Sequence, residues 1–225
     1  MRLEVLYEDN HLLAINKRAG IATMGAEAGR DSIVDLVRDY LRRKYAKPGN
    51  VYIGVVSRLD QTVSGVLLLA RTSKAASRLT EQFRSRSVEK SYWAVVEGGP
   101  PASAELVDDV IKDEARHRMR IADPGDAQAQ AARLSFRRLA AVRGGVWLEV
   151  GLETGRKHQI RLQLSSRGWP VLGDRKYGAR TTFGEGIALH ARRLSFTHPT
   201  RGEIVEIVAQ VPATWRGLGI ADVGQ

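Results

Sequence analysis

From Leu3 to Lys17 apolar and polar residues alternate on either side of Glu8-Asp9-Asn10, which predicts two short strands around a turn, a hairpin at a sheet edge. From Ser32 the period changes. Ile33, Leu36, Val37, Tyr40 and Leu41 recur at helical spacing behind an Asp31-Ser32 cap, and this helix is expected to stop at Lys47-Pro48-Gly49. Residues 65–70, GVLLLA, form a nearly unbroken apolar run between polar flanks and read as a buried central strand. A second helix is predicted from Ser73 toward Ser85, with Ala76, Leu79 and Phe83 inward and Arg78, Arg84 and Arg86 on a basic solvent face. A third is predicted over 158–166, with Gly168 just past its end. Further strands are expected at 90–97, 133–140, 145–152, 189–196 and 204–208. The low-complexity stretch from Ala122, ADPGDAQAQAA, is expected to be a loop, and the tail after Pro212 to add little. Strands outnumber helices, and helices come irregularly rather than once per strand. The predicted class is therefore α+β, with a mixed, mainly antiparallel central sheet flanked by helices and loops.

Composition narrows the partners. A chain of 225 residues, 43% hydrophobic, is long enough for one substantial core, and residues 1–225 are read as a single domain. The start lacks a signal-peptide pattern, and no apolar run approaches the length that spans a bilayer. The sequence has no cysteine, which excludes disulfides and thiolate metal sites; the cytoplasm and a monomer are the default expectations. Lys and Arg number 35 against 25 Asp and Glu, a formal net charge of +10. The pI near 10.2 points to a polyanionic partner, although basic proteins also exist for solubility alone.

Several chemistries are absent from the motif inventory. There is no dinucleotide glycine pattern, no Walker-type phosphate loop and no nucleophile elbow. His11, His117, His158, His190 and His198 show no metal-ligand spacing, so neither metal nor cofactor is expected. What remains is SRLDQTVSGVLLLAR, residues 57–71, where Arg-Leu-Asp precedes a Ser-Gly turn opening into the buried strand. Asp60 would then lie on a loop held by the core, a favoured place for a catalytic carboxylate. The plainer alternative is a pair of solvated loop charges. Residues 152–178 crowd Arg156, Lys157, Arg161, Arg167, Arg175 and Lys176 into a short interval. On a helix Lys157 and Arg161 would share a face, and their repulsion calls for an anion, whether phosphate or a carboxylate such as Asp60. A solvated basic face is the alternative. In EKSYWAVVEG, residues 89–98, alternation puts Tyr92 and Trp93 on opposite faces, where an aromatic ring is either core or a platform for a nucleobase.

Taken together, these segments resemble the RluA-type family of pseudouridine synthases from about Tyr7 to Pro199. The resemblance rests on YEDNHLLAINKRAG (7–20), SRLDQTVSG (57–65), EKSYWAVVEG (89–98), TGRKHQIR (154–161) and LHARRLSFTHP (189–199), in that order. Arg18 stands where proline is usual, Ser57 where histidine is usual and Val63 where threonine is usual. The resemblance implies the pseudouridine synthase fold, a single catalytic domain without a separate N-terminal RNA-binding module, and RNA, ribosomal or transfer, as the partner. It also implies that Asp60 is the catalytic aspartate, that Tyr92 stacks on the flipped uracil, and that Arg161 is the basic residue paired with the aspartate. Arg58 would enter the RNA stack where the base leaves, with Lys90, Arg156, Lys157 and His158 as further RNA contacts. Leu162 is expected to pack.

The implied reaction breaks the bond between ribose and uracil nitrogen, turns the base and rejoins it through carbon. No redox change or hydrolysis is involved, which agrees with the missing cofactor motifs. Two rival readings differ in class: an RNA-binding protein without turnover, and a hydrolase using Asp60 and His158.

Overall fold

The structure is a computed structural model that describes residues 3–25, 29–46 and 48–220. In chain order its elements are β1 (Val5–Glu8), β2 (Leu12–Lys17), α1 (Ile33–Lys44), β3 (Gly54–Val55), β4 (Ser64–Ala70), α2 (Ser73–Arg84), β5 (Glu89–Val96), β6 (Ser103–Asp113), β7 (Arg118–Ile121), β8 (Gln130–Val142), β9 (Gly145–Leu152), α3 (Gln159–Ser165), β10 (Leu189–Thr197) and β11 (Ile204–Val208). Short 3-10 turns lie at Arg175–Tyr177 and Ala213–Leu218. The α+β class is the one expected, and the registered strand pairs are antiparallel. Among the described residues no helix is long and apolar enough to cross a membrane. The chain forms two compact units, one from the residues up to Glu89 with Ala191–Val211, the other from Lys90–His190 with the segment from Pro212.

In the first unit β2 lies between β1 and β4, β10 neighbours β4, β3 pairs with β4, and β11 pairs with β10. The apolar run of β4 follows from burial on both faces. Val66, Leu68 and Ala70 join Leu12 and Ala14 against Ala75 and Leu79 of α2. Leu67 and Leu69 join Leu13 and Ile15 against Ile33, Val37 and Leu41 of α1. A strand facing helices on both sides has no polar face to alternate with. Helix α1 starts in a capping box, the Ser32 hydroxyl accepting from the Asp35 N–H while the Asp35 carboxylate accepts from the Ser32 N–H. It ends at Lys44, before the predicted stop, and Lys47 lies outside the described residues.

In the second unit the strand order is β5-β9-β8-β6-β7. Strands β6 and β7 were not predicted. Of the charged sequence SAELVDDVIKD only Leu106 and Val110 are buried, so the period-2 signal is masked by polar residues on both faces. Strand β8 begins at Gln130, which takes the last three residues of the expected loop into the sheet. The expectation for the tail is corrected more sharply. Trp215 is fully buried, edge-on to Phe183 and His190 at 6.1 Å each, and Leu218 accepts a hydrogen bond from the Arg143 N–H. One large aromatic side chain makes a segment with little periodicity part of the core. Residues 221–225 lie outside the described residues.

Candidate active site

Asp60 is half-buried on the loop entering β4. The turn spans residues 60–63, closed by the Val63 N–H on the Asp60 carbonyl at 3.1 Å, so Ser64 and Gly65 belong to the strand and not to the expected turn. The chain leaving β2 grips this loop on both sides of Asp60. Before it, the Thr23 hydroxyl donates to the Leu59 carbonyl at 2.9 Å and accepts from the Leu59 N–H at 3.3 Å. After it, the Gly20 N–H donates to the Gln61 carbonyl at 2.8 Å, and the Gln61 side-chain amide donates to the Gly20 carbonyl at 3.0 Å.

Lys17 completes the clamp. Only 1% exposed, its ammonium donates to the carbonyls of Ile21 at 2.8 Å, Arg18 at 2.9 Å and Gln61 at 3.3 Å. Burial pushes Lys17 down to about 8, and the Asp60 carboxylate opposes that fall by favouring the charged form. On the strand side Gly65 has φ +115°, and a Cβ there would collide with the backbone of Ala191 on β10. Arg58 is exposed, Ser57 half-buried and Val63 buried.

In the second unit the site residues gather around α3. Its first residue is Gln159, with His158 as an N-cap in the left-handed region at φ 54°. Lys157 therefore precedes the helix and is exposed, while Arg161 is buried, which corrects the expectation of one shared face. The carboxylate that Arg161 engages on its own unit is Asp174: Nε to Oδ2 at 2.7 Å and Nη2 to Oδ1 at 3.0 Å, with both side chains nearly inaccessible. The Tyr177 ring lies 5.0 Å from the same guanidinium, and its hydroxyl meets His158 Nδ1 at 2.9 Å and accepts from the Met119 N–H at 3.0 Å. Tyr177 thus brings His158 and Arg161 into one network.

Helix α3 is pinned by buried amides. Gln159 accepts from the Thr154 hydroxyl at 2.7 Å and the Arg156 N–H at 2.9 Å, and donates to Gln163, which reaches the carbonyls of Leu106 and Ala132 at 3.2 Å each. Leu162 packs with Val110 and Met119, as expected. Half-buried Arg156 donates to the Ala131 carbonyl at 3.0 Å. Two other cations of the basic interval tie down neighbouring segments: half-buried Arg167 forks onto Asp108, and exposed Lys176 donates to the His117 carbonyl at 2.6 Å.

Tyr92 is half-buried on β5 opposite Val150, and Lys90 is half-buried near the start of that strand. Trp93 is the core ring of the pair, edge-on to Trp147 at 4.6 Å. The sequence reading missed Lys17, Thr23, Asp174 and Tyr177. A cation closing the strand LLAINK, and a carboxylate within an interval of six cations, were the available signals. Among the described residues no group of three or more His, Asp or Glu is placed to hold a metal ion.

Comparison with known proteins adds an independent line. The family pattern of RNA pseudouridylate synthases matches residues 11–166. Over 221 residues the chain is 33% identical to ribosomal large subunit pseudouridine synthase D of Zymomonas mobilis, covering 93% of this chain and 69% of that protein. It is also 33% identical over 240 residues to tRNA pseudouridine synthase C of Salmonella typhi, covering 95% and 87%. A pseudouridine synthase D of Xylella fastidiosa is 37% identical, and the match covers 66% of its length, so this chain spans about two thirds of such relatives. The solved human RNA Pseudouridylate Synthase Domain Containing 4 has the same fold, with a TM-score of 0.80 at 24% identity over 96% of this chain and 93% of that one.

Proposed function

Because this chain belongs to the RluA-type family of RNA pseudouridine synthases, we propose that Asp60 is its catalytic carboxylate and that it isomerises uridines of ribosomal or transfer RNA in the cytoplasm, acting as a monomeric catalytic domain. The observation that carries this reading is the clamp on the Asp60 loop, in which Leu59 and Gln61 are both tied to residues 17–23 with a buried ammonium beside them. A carboxylate that must act beside the sugar in one geometry, whether on the anomeric carbon, the uracil ring or a sugar proton, gains from a loop fixed in advance. The buried Lys17 ammonium places a positive charge where the Asp60 carboxylate feels it.

The uridine is flipped out of its stack at a cost of roughly a few kcal/mol. Tyr92 stacks on the flipped uracil and Arg58 fills the vacancy. Arg161 supplies positive charge to the reaction, and its bidentate hold on Asp174 supports that role by fixing the guanidinium plane. Lys90, Arg156, Lys157 and His158 contact the RNA. The names of relatives point to two RNA classes, ribosomal for the synthase D proteins and transfer for synthase C.

The test uses ribosomal and transfer RNA carrying tritium at carbon 5 of uracil. Isomerisation frees that hydrogen to water. Wild-type protein is expected to release tritium from at least one pool, and Asp60→Ala to release none while still binding RNA. Release by Asp60→Ala at the wild-type rate would remove Asp60 from the chemistry.

A further inference from the structure

We propose that a groove on the first unit, between β1, α1 and Arg18, is a second RNA-binding surface that holds backbone of the substrate away from the isomerised uridine. The proposal rests on the reading of this chain as an RNA-modifying enzyme, with Asp60 on the neighbouring loop.

The groove has a volume of about 900 Å³, at the upper end of the range of ligand sites. Leu3, Val5 and Leu36 supply its apolar part, and Tyr40, Arg18, Arg43, Lys44 and Glu4 the rest. Three cations therefore face one carboxylate. Glu4 is engaged by the Asn16 amide at 3.1 Å. Lys44 bonds to Glu8 at 2.8 Å, but Glu8 also faces Arg71, so one carboxylate serves two cations. Arg18 and Arg43 are exposed and have no carboxylate partner among the described residues; the Arg43 Nε bonds only the Asp39 carbonyl, at 3.3 Å. Elsewhere on α1 the cations are matched, Arg38 by Asp35 and Arg42 by Asp39, as Arg84 is by Glu81 on α2. Positive charge is thus left uncompensated along the groove while the adjacent turns balance it.

That combination fits a polynucleotide better than a compact metabolite. Arginine forks grip phosphate oxygens, and an apolar and aromatic wall accepts the faces of sugars and bases. Tyr40 is a fixed part of that wall, because its hydroxyl is held on Glu8 at 2.7 Å. The location also suits a substrate of the Asp60 loop. The Arg18 carbonyl and the Gln61 carbonyl accept from the same Lys17 ammonium, so the groove begins beside that loop.

The experiment compares Arg18→Gln/Arg43→Gln with Arg42→Gln/Arg84→Gln, which loses the same net charge from cations already matched on their own helices. Tritium release and RNA binding are measured against salt, with thermal melting as the check on folding. The groove variant is expected to raise KM about tenfold with kcat within twofold of wild type. Its log–log salt slope should be shallower by about 1.4 to 1.8, two phosphate contacts at roughly 0.7 to 0.9 each. Phenylglyoxal footprinting of the wild-type protein adds a readout independent of any variant: RNA should shield Arg18 and Arg43. A groove variant no different from the control, or no shielding, overturns the proposal. If the wild type releases no tritium at all, the reading of the enzyme fails instead, and the salt slope and the footprint still decide the groove.

Discussion

Asp60 and Arg161 carry opposite charges and are held by different parts of their own units. The Asp60 loop is fastened through the main chain of its neighbours, Leu59 and Gln61, to residues 17–23. Arg161 stands on a helix and its own guanidinium is fastened, by two bonds to the Asp174 carboxylate. In the first arrangement the fixing groups are mostly neutral and several share the task. In the second, one buried charge depends on another. Removing a member of a set of neutral bonds loosens a loop, whereas removing a charge partner strands an ion in a low-dielectric interior.

The largest expected effect is accordingly at Asp174. Asp174→Ala leaves Arg161 without that carboxylate and should destabilise the protein by about 3–5 kcal/mol, the range for breaking a buried pair. Asp174→Asn, which keeps shape and one acceptor, should recover part of it. Urea denaturation of the three proteins checks both values, and a loss below about 1 kcal/mol for Asp174→Ala would erase the contrast drawn with the clamp.

Thr23→Val tests the other side. It keeps the volume but deletes the donor and acceptor that Leu59 uses. The expected cost is about 1–2 kcal/mol, with kcat lowered more than KM is raised, because geometry at Asp60 suffers before RNA binding does. Thr23→Ser should restore most of the rate. Equal loss in kcat and in thermal stability, without rescue by serine, would make Thr23 a packing residue only.

The same contrast explains what the sequence could reveal. Strand β4 was legible because both its faces are buried, which leaves an apolar run that only a central strand explains. The Asp60 loop was legible because charge immediately precedes that run. The clamp was not, since most of its bonds end on backbone carbonyls, which every residue possesses, and a lysine closing LLAINK reads as an exposed strand end. The pairing of Lys157 with Arg161 was misread because the helix starts one residue after His158, whose left-handed backbone no periodicity signals. Asp174 was hidden by distance, thirteen residues beyond its partner. Strands β6 and β7 were hidden by charge.

The smallest expected effect is at Lys17, about a twofold change in rate at its titration midpoint. It is a buried cation like Arg161, but its hydrogen bonds go to carbonyls and the carboxylate facing it is Asp60. A guanidinium keeps its proton at any working pH; a buried ammonium does not. Burial brings Lys17 from 10.5 to about 8. Between those values the unfolded chain holds a proton there that the folded protein has released, so this group's contribution to stability rises with pH across that window. Over the same rise Asp60 loses a positive charge beside it, and the rate should fall, reaching half near pH 8. Stability and rate therefore move in opposite directions, which general alkaline unfolding cannot produce, since it lowers both. Tritium release and urea denaturation from pH 7 to 10 follow the two curves, with Lys17→Met expected to be slow and to lack both the limb and the stability rise. A wild-type rate unchanged to pH 10 would mean that Lys17 matters only as a hydrogen-bond donor to the Gln61 carbonyl, and that its charge plays no part at Asp60.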